Sequence, residues 1–344
     1  MAPSGVHFAH FAAEYEAILA QAQAVVAGFP PLLRDMAERL LPELGGATFS
    51  RIAALLPYWL ADLLDQRPPP AGARPGPGPG QPGALSLANL LGWWSYLLQD
   101  QLLDSERDGP ERLPLAIAFH VASVRRFQHL VPGDAAFWDA FESLSLASAE
   151  AHCWEQRRHF QDLADLDREA PGPGAFGFDD LDRLANRSAL LQLSSVLQLH
   201  LHGYGQDDPL HLALRQMVHH YAVGRQIGDD RTDWVDDLKK GRLNYVSARI
   251  ARRMVDQGAV QNYAGLDVER MVGYFLYDDE LFAAIQQAAV AACQRAAQSI
   301  APYEPRYLLA LVDDLLDRTV RSYQTALRSR RRLRGVFRPL QPSS

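Results

Sequence analysis

Apolar residues recur at helical spacing along almost the whole chain, and the runs of Val, Ile and Thr that build strands are missing. That pattern predicts helices over 8–27, 31–42, 49–66, 85–106, 112–130, 135–163, 178–202, 208–239, 243–257, 267–276, 279–300 and 305–328. The expected fold is all-α, a single helical domain over residues 1–328 packed around a central cavity. Hydrophobic residues make up 48% of the sequence, enough to fill a sizeable core. Residues 67–84 are dense in Pro and Gly and predict a mobile loop inside the array, since the helices before it are too few for a core of their own. Pro171 to Gly174 predicts a second break. Residues 329–344, rich in Arg and ending in Pro and Ser, predict a disordered tail or a basic lid over an anionic ligand.

The formal charge of −7 argues against a nucleic-acid partner, which calls for a basic surface. The two cysteines, Cys153 and Cys293, lie too far apart for a zinc spacing or a disulfide framework. A reducing, cytoplasmic setting fits them. No secretory signal and no membrane-spanning run is visible.

The segment Arg225 to Tyr245, RQIGDDRTDWVDDLKKGRLNY, is the most informative chemically. At 100° per residue, Asp233 lies about 40° from Asp229 and Asp237 about 40° further, with Asp236 within about 20° of Asp229. Four carboxylates therefore share one face, while Asp230 lies about a quarter-turn away, at the surface or behind the others. Like charges at this spacing repel. Gly241 reads as the residue beyond the helix end, so the acids also approach the negative end of the helix dipole. A sequence that tolerates both effects has a cation to bind, and all-oxygen ligands favour Mg²⁺. The alternative is a solvated acidic face partnered by Arg231, Lys239 and Lys240.

An earlier helix ends WWSYLLQDQLLDSERDGP. Asp100 and Asp104 are neighbours one turn apart, and Trp93 and Tyr96 lie below Asp100 on the same side. One face thus runs from aromatic to acidic. An aromatic floor under a metal rim suits carbocation chemistry, because rings exclude water and stabilise positive charge. Ordinary core packing is the competing explanation of the aromatics.

The two acidic segments resemble those of the class I isoprenoid synthase superfamily, nearest to bacterial terpene cyclases. Asp100-Gln101-Leu102-Leu103-Asp104 looks like the first motif, D-D-x-x-D, with Gln101 at the second acid. The second segment fits three registers. Asp229, Asp233 and Asp237 fall at the Asn, Ser and Glu of the cyclase motif N-D-x-x-S-x-x-x-E. Gln226 with Asp229-Asp230-x-x-Asp233 looks like Q-x-x-D-D-x-x-D of chain-elongating enzymes. Asp233-x-x-x-Asp237 with Gly241-Arg242 and Tyr245 looks like D-x-x-x-D-x-x-x-G-R-x-Y of squalene and phytoene synthases.

The resemblance implies Mg²⁺, three ions in all, held by Asp100, Asp104, Asp229, Asp233 and Asp237. It implies an allylic isoprenoid diphosphate substrate, C15 to C25, ionised over Trp93 and Tyr96 to a terpene and diphosphate. Diphosphate contacts fall to Arg183 or Arg187, upstream of the second motif, to Lys240, and to the Arg321-x-Tyr323 pair; Arg225 and Arg306-Tyr307 are weaker candidates. A homodimer is compatible with it. Chain elongation is disfavoured, because FPPLLRDMAERLLPELGG lacks a G-K-x-x-R-like signature, although Arg34 and Arg39 stand there. Head-to-head prenyl transfer and non-catalytic isoprenoid binding remain alternatives. Asp313-Asp314-Leu315-Leu316-Asp317 matches D-D-x-x-D literally but follows the second motif, the wrong order. The eleven histidines assemble no zinc pattern.

Overall fold

A computed structural model of the chain describes residues 5–67, 81–103, 109–110, 112–159 and 180–337. Among these residues the fold is all-α, with no strand. The helices are α1 (Val6–Ala9), α2 (Ala12–Ala27), α3 (Pro31–Gly46), α4 (Thr48–Asp65), α5 (Gln81–Leu103), α6 (Arg112–Leu130) and α7 (Ala135–His159). They continue with α8 (Leu181–Asn186), α9 (Leu193–Leu201), α10 (Pro209–Lys239), α11 (Tyr245–Asp256), α12 (Val268–Tyr277), α13 (Asp279–Ile300) and α14 (Arg306–Phe337). None of the described helices is long and apolar enough to cross a membrane.

The chain divides into two compact units. The first comprises Met1–Ser148, Ser188–Val218 and Ser299–Leu311, the second Ala149–Arg187, His219–Gln298 and Val312–Ser344. Neither is a continuous stretch of sequence; α7, α10, α13 and α14 each supply residues to both.

In the first unit Trp59, Trp94, Phe119, Leu60 and Leu90 are fully enclosed, each burial contributing about 1.5–3 kcal/mol. Helices α5 and α6 approach closely because Gly92 has no side chain; a Cβ there would meet Ser123 Oγ at 3.0 Å. Ser123 Oγ in turn donates to the Ala88 carbonyl (2.7 Å). Pro57 interrupts the bonding of α4, since it lacks the N–H that Ala53's carbonyl would otherwise accept. Asn89 Nδ2, from α5, donates to that carbonyl instead (2.6 Å), and Gln198 Nε2, from α9, donates to the carbonyl of Pro57 (2.9 Å). A local defect in one helix thereby fixes two neighbours.

The second unit packs Ile227, Trp234 and Leu238 of α10 against Tyr245, Val246 and Ile250 of α11 and against Phe275, Phe282 and Ile285. Gly224 lets α10 approach α13, where an added Cβ would lie 2.9 Å from Cys293 Sγ.

Three expected boundaries move. Helix 8–27 breaks after Ala9. Helix α3 runs through Pro42 to Gly46. Helix 178–202 breaks into α8, a 3-10 turn at Ala189–Gln192 and α9. The expected loop at 67–84 lies largely outside the described residues, and its last residues, from Gln81, already belong to α5. The break at 171–174 lies outside them. The C-terminal stretch differs from the tail or lid expected: through Phe337 it is the end of α14. The reason is chemical. Arg330 is buried, donates to the Phe275 carbonyl (2.6 Å), and lies 4.0 Å from the centre of the Phe282 ring. Arg334 donates to the Leu276 carbonyl (2.7 Å) and pairs with Asp279 (2.6 Å). Guanidinium groups occupy carbonyls at the end of α12, so the last turns of α14 are fastened down.

Candidate functional site: an acidic helix face and the buried network behind it

Helix α10 ends as its sequence predicts. Gly241 has φ +75°, its N–H bonds the Leu238 carbonyl (3.0 Å), and the Arg242 N–H bonds the Asp237 carbonyl (2.9 Å). Trp234 and Leu238 turn inward. Asp233 and Asp236 are exposed, and Asp229 and Asp237 are half-buried. Asp229 pairs with Arg225 (3.1 Å) and Asp236 with Lys239 (3.3 Å). Lys240 is exposed.

Of the two places expected for Asp230, the structure shows the one behind the other acids: only 6% of it is exposed, on the same side as Ile227 and Trp234. Its Oδ1 accepts from Gln226 Nε2 (2.7 Å) and its Oδ2 from the Tyr245 N–H (2.9 Å). Burial pushes its carboxyl up to about 7, against the pull of those two hydrogen bonds and of Arg187. Asn244 completes the network. Its Nδ2 donates to Asp237 Oδ2 (2.8 Å) and to the Asp230 carbonyl (3.2 Å). Its Oδ1 caps α11 in a reciprocal arrangement with Ser247. The turn between α10 and α11 is therefore tied back to α10 at two aspartates. The spacing Ile227, Asp230, Trp234, Leu238 places Asp230 on the apolar stripe, the one sequence signal of its burial.

The expected diphosphate contacts divide. Arg187 is buried and pairs with Glu155 at 2.7 Å, the two side chains 11% and 3% exposed. Arg183 is exposed, pairs with Asp180 (3.2 Å), and lies 5.8 Å over the Trp154 ring. Arg321 is exposed, with Asp317 four residues back at 4.0 Å. Tyr323 stacks on Phe282 (5.3 Å between ring centres). Arg306 lies 5.4 Å over the ring of buried Tyr307.

In the first unit, Trp93 is buried, and its ring lies 4.9 Å from Tyr96 and 5.4 Å from Phe49. Asp100 is half-buried, one turn beyond Tyr96. Asp104 lies outside the described residues. The Trp93 indole N–H is buried without a hydrogen-bond acceptor. That leaves an unmet donor on an otherwise apolar ring.

Among the described residues no three His, Cys, Asp or Glu side chains form a ready-made metal site. The donors of the α10 face are carboxylate oxygens alone, the set that suits Mg²⁺, which binds through one or two carboxylates and completes its shell with water and phosphate. Compared with known proteins, the chain matches no family model and no curated protein sequence.

Proposed function

We propose that this protein binds an allylic isoprenoid diphosphate through Mg²⁺ and ionises it, as a terpene synthase acting on C15 to C25 substrates. The observation that carries the reading is the C-terminal half of α10. It turns several carboxylates outward at the unfavourable end of its dipole, while Asn244 and Asp230 brace the backbone behind them. The aromatic cluster Phe49, Trp93 and Tyr96, next to Asp100, adds the apolar surface such a substrate needs.

In this reading Asp229, Asp233 and Asp237 of α10 would hold Mg²⁺, as would Asp100 and Asp104 of the first motif, and the metal would supply charge neutralisation of the leaving diphosphate. Exposed Arg183 and Lys240 attract the diphosphate oxygens. Arg187, committed to Glu155, contributes a fixed positive field beside Asp230. Asn244 aims one oxygen of Asp237 by holding the other. Trp93 and Tyr96 exclude water from the cation formed when the allylic C–O bond breaks.

A head-to-head prenyltransferase is the second reading. Arg242 and Tyr245, the residues of the G-R-x-Y register, are both buried directly after α10. Product analysis with C10, C15, C20 and C25 allylic diphosphates, with and without isopentenyl diphosphate, separates the readings. A terpene made from one allylic substrate alone is the expected result. Dimeric products support head-to-head transfer, longer diphosphates made only with isopentenyl diphosphate support elongation, and no Mg²⁺-dependent turnover removes the enzyme reading.

A further inference from the structure

We propose that the first unit holds a second binding site, a cavity between α2, α3, α4 and α5 that takes a small amino-acid-like zwitterion. The cavity measures about 540 Å³, within the range of small-molecule sites. Its charged lining is Glu16 from α2, Glu38 from α3 and Arg51 from α4. Among the described residues neither glutamate pairs with Arg51 or with any other cation. The Arg51 guanidinium lies 5.3 Å from the centre of the Tyr15 ring, and its Nε is buried without an acceptor. Two carboxylates and a guanidinium thus border one cavity without neutralising each other.

Of the other polar side chains of the wall, Gln23 is exposed, while Tyr15 and Trp94 are already committed. Tyr15 Oη donates to the Gly45 carbonyl (2.6 Å), and the Trp94 indole N–H donates to Ser50 Oγ (3.1 Å). Tyr15 and Trp94 therefore offer the cavity ring surface, and Leu19, Leu41 and Pro42 add aliphatic surface. Pro42 also lacks the N–H that would cover the Glu38 carbonyl, which adds an acceptor on the acidic side.

Gly45 and Gly46 close α3 at the same wall. Neither has a positive φ, so the backbone does not demand glycine at either position. A Cβ on Gly45 would crowd Leu19 at 3.2 Å, and one on Gly46 would meet nothing within 4 Å. The missing side chains keep the space open. The complementary ligand places an ammonium toward Glu16 and Glu38, a carboxylate toward Arg51, and an apolar body between them.

The test is calorimetric titration of the full chain with L-phenylalanine, and with its two halves, phenethylamine and 3-phenylpropionate. L-phenylalanine is expected to saturate, with each half at least about tenfold weaker, because each forfeits one charge-assisted set of hydrogen bonds. Arg51→Gln should bring L-phenylalanine down to the level of phenethylamine. Glu16→Gln combined with Glu38→Gln should bring it down to that of 3-phenylpropionate. Gly46→Leu should abolish binding of all three. If Arg51→Gln fails to fold, the exposed glutamate pair and Gly46→Leu carry the test. Equal binding of either half, full binding to Gly46→Leu, or no saturable binding of any probe would overturn the proposal.

Discussion

Helices α10 and α14 each carry a run of aspartates that reads as a diphosphate motif, yet their surroundings differ. In α14 the acids are answered within the helix: Asp314 pairs with Arg318 (3.0 Å) and Asp317 faces Arg321 (4.0 Å), each four residues on. Such pairs along a helix contribute little, about 0.3–0.5 kcal/mol each. In α10 two acids are answered the same way, Asp229 by Arg225 (3.1 Å) and Asp236 by Lys239 (3.3 Å), but Asp237 is answered from behind by Asn244, which also caps the next helix. The literal match D-D-x-x-D at Asp313 to Asp317 thus belongs to a face paired along its own helix. The imperfect match at Asp229 to Asp237 belongs to a braced one. A motif's chemistry depends on what stands behind its backbone as much as on its letters.

The largest effect separates the two faces directly. Asp229→Ala or Asp233→Ala should lower Mg²⁺-dependent diphosphate release by more than the ~100-fold typical of losing an outer partner of a metal ligand. Asp314→Ala should leave it within about twofold, because its loss removes only a pair along its own helix. Loss of release in a folded Asp314→Ala protein would reverse the comparison.

The arginines of α14 supply the next contrast. Arg330→Ala removes a buried guanidinium that serves the Phe275 and Asp278 carbonyls and Asp279, and should destabilise the fold by about 3 kcal/mol in urea unfolding. Arg331→Ala, on the exposed side, should stay within about 0.5 kcal/mol. Equal costs would contradict the division of these arginines into fastened and solvated sets.

Helix positions in this protein were legible from periodicity, and the end of α10 from Gly241. The tail was not, because Arg330 and Arg334 read alike with Arg331 and Arg332 until α12 supplies carbonyls for two of them. Continuation of α3 through Pro42 was hidden for a similar reason: a proline breaks a helix only where packing fails to support the turn. Within the site, the outward acids followed from 100° steps. The network of Gln226, Asp230 and Asn244 did not, since it depends on α11 folding back to bring Tyr245 N–H to an aspartate fifteen residues earlier.

Smaller effects sharpen the α10 side. The Asp230 carboxyl is raised from 3.8 to about 7, so the folded state binds a proton that the unfolded state has released across that interval. Stability should fall as pH rises from about 4 to 7 and level off above. Asp230→Asn should flatten that slope in urea titrations at several pH values, and an unchanged slope would assign it to other groups. Asn244→Ala should cost about 1–2 kcal/mol through the lost cap. A cost near zero would show that Ser247 alone sustains the start of α11.

Calorimetric titration of inorganic diphosphate into the full chain, with and without Mg²⁺, tests the proposed metal-binding role most directly. Saturable binding that requires Mg²⁺, and that is lost in both Asp100→Ala and Asp233→Ala while Asp314→Ala binds normally, is the expected result. Diphosphate that binds equally without Mg²⁺, or that binds both variants as tightly as the parent, contradicts it.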